Sequence, residues 1–226
     1  MGIRRATVSF ILKWVLNSLC KVNCHELVKA LEKNEPMILA INHINFLEVP
    51  LYVAHGYPHY ITGIAKTETW DSSIFAFIFN TYNAIPINRS SAFSDVFKRV
   101  RKAVDDGFFV IVAPEGTRSK NGVLGKGKAG ILYLANDTKI PVLPVVHFGG
   151  EKLGDNLRRF RRTSFYFKAG KPFRINFNER PNRETRDGMT NEVMGQMAKL
   201  LPKELRGIYA EQAERADSEC KYLEFI

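Results

Sequence analysis

The chain predicts an α/β fold in which a mixed, largely parallel sheet is flanked by helices. From residue 26 onward, short apolar runs that read as strands alternate with longer stretches of helical pattern. Several of those runs, 36–41 and 108–113 among them, are apolar along their whole length, as strands buried inside a sheet are. At 226 residues, 45% hydrophobic and 12% aromatic, the chain is long enough for one well-formed core and too apolar for wholesale disorder. No internal repeat or low-complexity segment interrupts it.

The first expected element is a helix over residues 3–22. Val8, Ile11, Leu12, Val15 and Leu19 repeat at helical spacing, and Phe10, Trp14 and Leu16 widen the apolar surface. Ser9, Lys13 and Asn17 form a narrow polar stripe at four-residue intervals. Lys13 breaks the apolar run, which falls short of the roughly eighteen consecutive apolar residues of a spanning helix. Arg4 and Arg5 precede the run as in a signal peptide, but Asn17-Ser18-Leu19-Cys20-Lys21 makes a poor cleavage site. An interfacial anchor is the expectation for residues 1–24, with a helix packed on the core as its rival.

Strands are expected over 36–41, 59–64, 84–88, 108–113, 140–147, 163–169 and 173–177. Helical patterns fall near 24–33, 49–55, 71–81, 91–105, 127–137 and 189–200. Phe75, Phe77 and Phe79 crowd the third of these, and core packing is the first reading for them. Gly122, Gly125, Gly127 and Gly130, interleaved with Lys126 and Lys128, predict a mobile basic loop. A phosphate-binding Gly-x-x-x-x-Gly-Lys-Ser/Thr pattern is absent from it. Residues 211–226 are charged and expected to fray.

Titratable residues gather where the apolar runs stop. Pro36-Met37-Ile38-Leu39-Ala40-Ile41 delivers the chain to Asn42-His43, and Glu48 follows five residues later. Histidine is the side chain best suited to moving a proton near neutral pH, and a nearby carboxylate fixes its tautomer and stabilises its charged form. On one continuous helix the two would stand about 140° apart. They meet only if the chain turns between them, and Asn45 as a cap with Pro50 early in a helix fits such a turn. Asn83-Ala84-Ile85-Pro86-Ile87-Asn88-Arg89 ends a second run in an arginine. Phe108-Phe109-Val110-Ile111-Val112-Ala113 ends in Pro114-Glu115-Gly116-Thr117-Arg118. Ile140-Pro141-Val142-Leu143-Pro144-Val145-Val146 is a strand stiffened by two prolines.

In order and content these blocks resemble the glycerophospholipid acyltransferase family, whose best-known members are the lysophosphatidate (1-acylglycerol-3-phosphate) acyltransferases. That family carries an Asn-His-x4-Asp box, an apolar stretch ending in Asp-Arg, a Phe-Pro-Glu-Gly-Thr-Arg box and a Val-Pro-x-x-Pro-Val box. Ala65-Lys66-Thr67-Glu68 is similar to its Ala-Lys-x-Glu segment, and 200–210 to the C-terminal helix ending of bacterial members. The chain departs from the pattern twice. Glu48 stands where aspartate is usual, one methylene longer, and Asn88 removes a charge beside Arg89.

The resemblance implies an acyl chain moved from an acyl thioester to the hydroxyl of a lysophospholipid, first of all lysophosphatidate to phosphatidate. Glycerol 3-phosphate, another lysophospholipid or an ornithine lipid is the alternative acceptor, and a non-catalytic basic membrane-binding module is the rival of another class. His43 would act as base with Glu48 orienting it. Arg89 and Arg118 would bind the acceptor phosphate, with Lys66 a lesser candidate. Gly116 and Thr117 belong to the same box, and Glu115 would hold Arg118, Thr117 or the acceptor. Acyl-CoA or acyl-acyl carrier protein serves as co-substrate, and neither a cofactor nor a metal is implied. The phenylalanine cluster could line an acyl-chain groove. On this reading residues 25–210 form the acyltransferase domain, between the 1–24 helix and the 211–226 tail.

Charge points to the same surroundings. The net +10 is concentrated in residues 1–24, with Arg4, Arg5, Lys13 and Lys21 and no acid, and in 151–186, with eleven Lys or Arg against four acids. Such segments attract polyanions. Arg158-Arg159-Phe160-Arg161-Arg162 lacks any accompanying nucleic-acid reader motif, so an anionic phospholipid membrane is the expected partner. Cys20, Cys24 and Cys220 show no metal or redox spacing and read as reduced thiols of a protein on the cytoplasmic face of the cell membrane. His25, His55, His59 and His147 stand outside the boxes and read as structural or exposed.

Overall fold

The computed structural model describes residues 2–32, 35–88, 93–119, 121–218 and 220–226. In chain order its elements begin with α1 (Gly2–Leu19), β1 (Cys20–Asn23), α2 (His25–Leu31), β2 (Ile38–Ala40) and α3 (Glu48–His55). They continue with β3 (Ile61–Lys66), α4 (Ser73–Thr81), β4 (Ile85–Ile87), α5 (Phe93–Asp105), β5 (Phe109–Val112), α6 (Gly130–Thr138) and β6 (Val142–Phe148). The last are α7 (Leu153–Arg158), β7 (Thr163–Ala169), β8 (Phe173–Arg174), α8 (Arg183–Leu200), α9 (Ala210–Arg215) and β9 (Glu224–Phe225).

The fold is α/β with a mixed, mostly parallel sheet. Its strands run in the order β1-β7-β6-β2-β5-β3-β4, and β8 pairs with β6 and β9. β6, β2, β5, β3 and β4 are parallel to one another, whereas β7 and β8 run antiparallel to β6. Side-chain alternation divides two cores. Phe109 and Ile111 of β5 join Leu39, Leu51, Leu27, Leu16 and Ile78 on the side of α1 to α4. Val110 and Val112 join Ile38, Val100, Ile131, Val193 and Ala213 on the side of α5, α6, α8 and α9. Helices on both sides explain why the strands are apolar throughout.

Three local expectations change. Residues 20–23 leave the first helix and become β1, paired in parallel with β7 from Cys20↔Thr163 to Asn23↔Tyr166. The last segment does not fray: Ala213, Ala216 and Leu223 are buried, and Phe225 pairs with Phe173. The basic glycine loop is held rather than mobile. Leu124 N–H donates to Leu205 O at 2.8 Å, Gly127 N–H to the Tyr209 hydroxyl at 2.9 Å and Lys128 N–H to Pro114 O at 2.9 Å. Helix α8 starts six residues before the 189–200 pattern, capped by Asn182, whose side chain accepts Thr185 N–H at 2.9 Å.

Helix α1 packs through a mixed face. Arg5, Val8, Ser9 and Leu16 are buried, while Lys13 and Asn17 of the polar stripe are exposed. Ser9 pairs with the Tyr82 hydroxyl at 2.7 Å, Asn17 Oδ1 lies 3.1 Å from His55 Nε2, and the buried Arg5 donates Nε–H to Thr81 O at 2.9 Å. The Arg5 guanidinium also lies over the rings of Tyr60 and Phe108, 5.0 and 4.7 Å from their centroids. Phe10 and Trp14 consequently point outward, 74% and 70% exposed. Among the described residues no helix is long and apolar enough to cross a membrane.

Candidate active site

Parallel strands deliver their carboxyl ends to one edge of the sheet, and the site is built there. His43 follows β2, Glu115 follows β5, Lys66 ends β3, and His147 is the penultimate residue of β6. Lys66 pairs with Ile87, so β4 ends beside it. Arg89, two residues further, lies outside the described residues.

The turn between His43 and Glu48 brings the pair together. Asn45 Oδ1 accepts Leu47 N–H at 2.9 Å, bending the chain just before α3, and Glu48 opens that helix. His43 Nδ1 then lies 2.6 Å from Glu48 Oε2. The other carboxylate oxygen, Oε1, accepts the N–H groups of Ile44 and of Asn45, the latter at 2.5 Å. Glu48 is 1% exposed, while the imidazole of His43 is 30% exposed. Burial works against the charge on Glu48, but the adjacent His147 and His43 outweigh it and hold the carboxyl at about 2. Glu48 is therefore a carboxylate at neutral pH, with His43 as its solvent-facing partner.

His147, read from sequence as structural or exposed, is fully buried behind this pair. Its Nε2 lies 3.2 Å from Glu48 Oε1, within ion-pair distance though not squarely aligned for a hydrogen bond. Its Nδ1 lies 3.4 Å from the Tyr52 hydroxyl, which donates to Val145 O at 3.1 Å. Asn42 grips the main chain of His147 in both directions, Nδ2–H to O at 2.8 Å and Oδ1 from N–H at 2.9 Å. Nothing local in the sequence marks the contacts of His147 with Asn42 and Tyr52, because they span 105 and 95 positions.

Glu115 brackets two main-chain segments. Its carboxylate accepts His43 N–H at 2.8 Å through Oε1 and Gly125 N–H at 2.7 Å through Oε2, so it engages the main chain rather than Arg118 or Thr117. Burial pushes its carboxyl up, against the pull of those two N–H groups. A Cβ on Gly125 would stand 2.8 Å from Glu115 Oε2, which is why the loop needs glycine there. Gly116, Thr117 and Arg118 are exposed at the rim. Gly116 turns with φ +65, and a Cβ there would meet Lys128 Nζ at 2.8 Å. The glycine loop thus brings the Lys128 ammonium beside Gly116. Ser119 N–H donates to His43 O at 2.7 Å, tying this rim to the histidine.

Comparison with known proteins gives this arrangement its context. The family model described as Acyltransferase matches residues 21–147, from β1 to the histidine of β6. The chain belongs to the Acyltransferase family. It is 31% identical over 120 residues to a chloroplastic 1-acyl-sn-glycerol-3-phosphate acyltransferase of Brassica napus, covering 52% of this chain and 34% of that one. It is 25% identical over 169 residues to the 1-acyl-sn-glycerol-3-phosphate acyltransferase of Bacillus subtilis, covering 74% and 82%. The chain spans about a third of the length of the Brassica relative, 34%, and 48% of the human beta form that it also matches. Among solved structures, the 1-acyl-sn-glycerophosphate acyltransferase of Thermotoga maritima superposes with a TM-score of 0.58 at 21% identity, over 84% of this chain and 76% of that one. That likeness shows the shared α/β fold of the family.

Proposed function

We propose that this member of the Acyltransferase family esterifies a lysophospholipid at a membrane surface, lysophosphatidate to phosphatidate first of all. The observation that carries the reading is the His43–Glu48 pair, 2.6 Å apart at the carboxyl edge of the sheet with the histidine open to solvent. With Nδ1 committed to Glu48, Nε2 is the ring nitrogen left to take the acceptor's proton. The acceptor oxygen bonds to the thioester carbonyl carbon, the carbon–sulfur bond breaks, and the proton passes from His43 to the departing sulfur. A thioester is already activated, so no enzyme nucleophile is required. Arg118, Lys66 and Lys128, with Arg89, supply cationic groups for the acceptor phosphate.

Location and chemistry support one another in this reading. Phe46, inside the His43–Glu48 turn, meets Phe75 of α4 edge-on, with ring centroids 6.3 Å apart. On α4, Ile74 and Phe77 are exposed, Phe79 is buried, and Arg4 of α1 lies over the Phe77 ring at 5.2 Å. The phenylalanine cluster is therefore split between core and surface. The outward residues of α1 and α4 and Phe46 make an apolar face that reaches the catalytic turn, suited to a bilayer-borne acceptor. Arg158, Arg159 and Arg161, all exposed, add attraction for anionic lipid on the cytoplasmic face.

The deciding experiment offers a labelled acyl-CoA and a labelled acyl-acyl carrier protein to a panel of lysophosphatidate, other lysophospholipids, glycerol 3-phosphate and an ornithine lipid acceptor. Turnover on lysophosphatidate with either donor is expected. Turnover only on another acceptor would reassign the substrate, and turnover on none would return the protein to a lipid-binding role.

A further inference from the structure

We infer that His147 is a positioning residue for the proposed transfer, donating its Nε2 proton to Glu48 Oε1 so that the carboxylate keeps Oε2 on His43 and shares its charge between two imidazoles. The inference rests on the reading of His43 as the base, and it concerns a residue that lies outside every sequence box.

The carboxylate decides the tautomer. A bare Nε2 lone pair 3.2 Å from a carboxylate oxygen would be repelled, so the proton belongs on that nitrogen, and the Tyr52 hydroxyl, in reach of both Val145 O and Nδ1, can turn its proton to Nδ1. The groups facing His147 are Glu48 and Tyr52 from α3, His43 and Glu115 across the Glu48 carboxylate, and the Phe167 ring of β7, whose centroid is 5.8 Å away. The side chain is fully buried and its main chain is clamped by Asn42, so the imidazole is fixed against Glu48. The extra methylene of Glu48 acquires a purpose here. It carries the carboxylate past His43 to the side chain of β6, where the aspartate expected in this box would be one carbon shorter.

A donor on Oε1 draws negative charge away from Oε2, the oxygen that faces His43 Nδ1. Removing that donor reverses the effect. His147→Phe is expected to cut kcat about tenfold, the scale of one lost charge-assisted hydrogen bond, while the acceptor KM stays within about twofold. The acid limb of its kcat/KM profile should move to higher pH. His147→Gln, which keeps an N–H in reach of Glu48, should recover both towards wild type. A His147→Phe enzyme with unchanged kcat and pH limb would overturn the inference, as would one indistinguishable from His147→Gln. An independent measurement uses the wild-type chain with 15N-labelled histidine. Nε2 of His147 should give the shift of a protonated ring nitrogen, and an unprotonated shift would overturn the inference even if both variants failed to fold. The spectrum needs no turnover, so a protein inactive on every acceptor would count against the proposed function alone.

Discussion

The carboxylate of Glu115 accepts the main-chain N–H of His43 at 2.8 Å, so the residue group that follows β5 fixes the backbone that follows β2. Its second oxygen holds Gly125 N–H at 2.7 Å, which makes one buried side chain the bracket between the histidine and the glycine loop. Glu115→Ala would leave both donors unsatisfied and should lower unfolding stability by about 2–4 kcal/mol in urea titrations. Glu115→Gln, which keeps one acceptor, should lie between. An alanine variant as stable as wild type would mean the bracket contributes nothing.

His43→Ala should reduce turnover by at least about a hundredfold, the usual scale for a lost general base, with little change in melting temperature because the imidazole is partly exposed. Glu48→Gln should be nearly as damaging. Full activity in the alanine variant, measured by steady-state kinetics, would remove His43 from the chemistry.

Acid should weaken the fold through Glu48. Burial raises its carboxyl, but His147 and then His43 overcome that and hold it at about 2, below the ordinary 4.5. A depressed folded value contributes stability that is present above pH 4.5 and lost as pH falls towards 2. Between those limits the wild type should lose on the order of 3 kcal/mol relative to Glu48→Gln. Glu115 is shifted the other way by burial, so its contribution to stability rises as pH falls through the window just above 4.5. Urea midpoints for the two proteins from pH 5 to pH 2 would decide it, since parallel curves would mean Glu48 is not held ionised.

Much of this was readable from the chain because strand ends and box residues coincide. The runs at 36–41 and 108–113 contain β2 and β5, and the turn inferred from Asn45 and Pro50 is the one that joins His43 to Glu48. What stayed hidden depends on contacts between distant positions. Cys20–Asn23 becomes a strand only because β7 offers an edge, and α7 and α9 are six residues each, too short to show a period. The orientation of α1 was hidden for a different reason. Periodicity finds a polar stripe but does not say which side of it is buried, and Arg5, Ser9 and Asn17 find partners on α3, on α4 and in the turn after it.

Arg118→Ala and Lys66→Ala should raise the KM for a phosphorylated acceptor more than that for the thioester, by about tenfold or more for the arginine. Arg89→Ala should do likewise. Equal effects on both substrates would make these residues supports of the fold. Steady-state kinetics with each substrate varied in turn provides the comparison.

Phe10→Ser combined with Trp14→Ser should weaken vesicle binding at least tenfold without moving the melting temperature, since both side chains already face solvent. Deleting α1 is a poorer test because it strips Val8 and Leu16 from the core. Co-sedimentation with anionic and neutral vesicles should show tighter binding to the anionic ones, weakened by salt. Unchanged binding by the double variant would assign the contact elsewhere.

A helix held to its domain by buried Arg5, Val8, Ser9 and Leu16 has no reason to swing out when lipid arrives. Arg5 donates Nε–H to Thr81 O and Ser9 pairs with the Tyr82 hydroxyl, so detaching α1 would break both contacts and uncover Val8 and Leu16. On the proposed membrane reading, encounter with a bilayer is then a landing by a finished body, its ordering entropy already spent during folding. Its helical circular dichroism should be the same in buffer and on vesicles, and its arrival should be paced by diffusion rather than by any rearrangement of the chain.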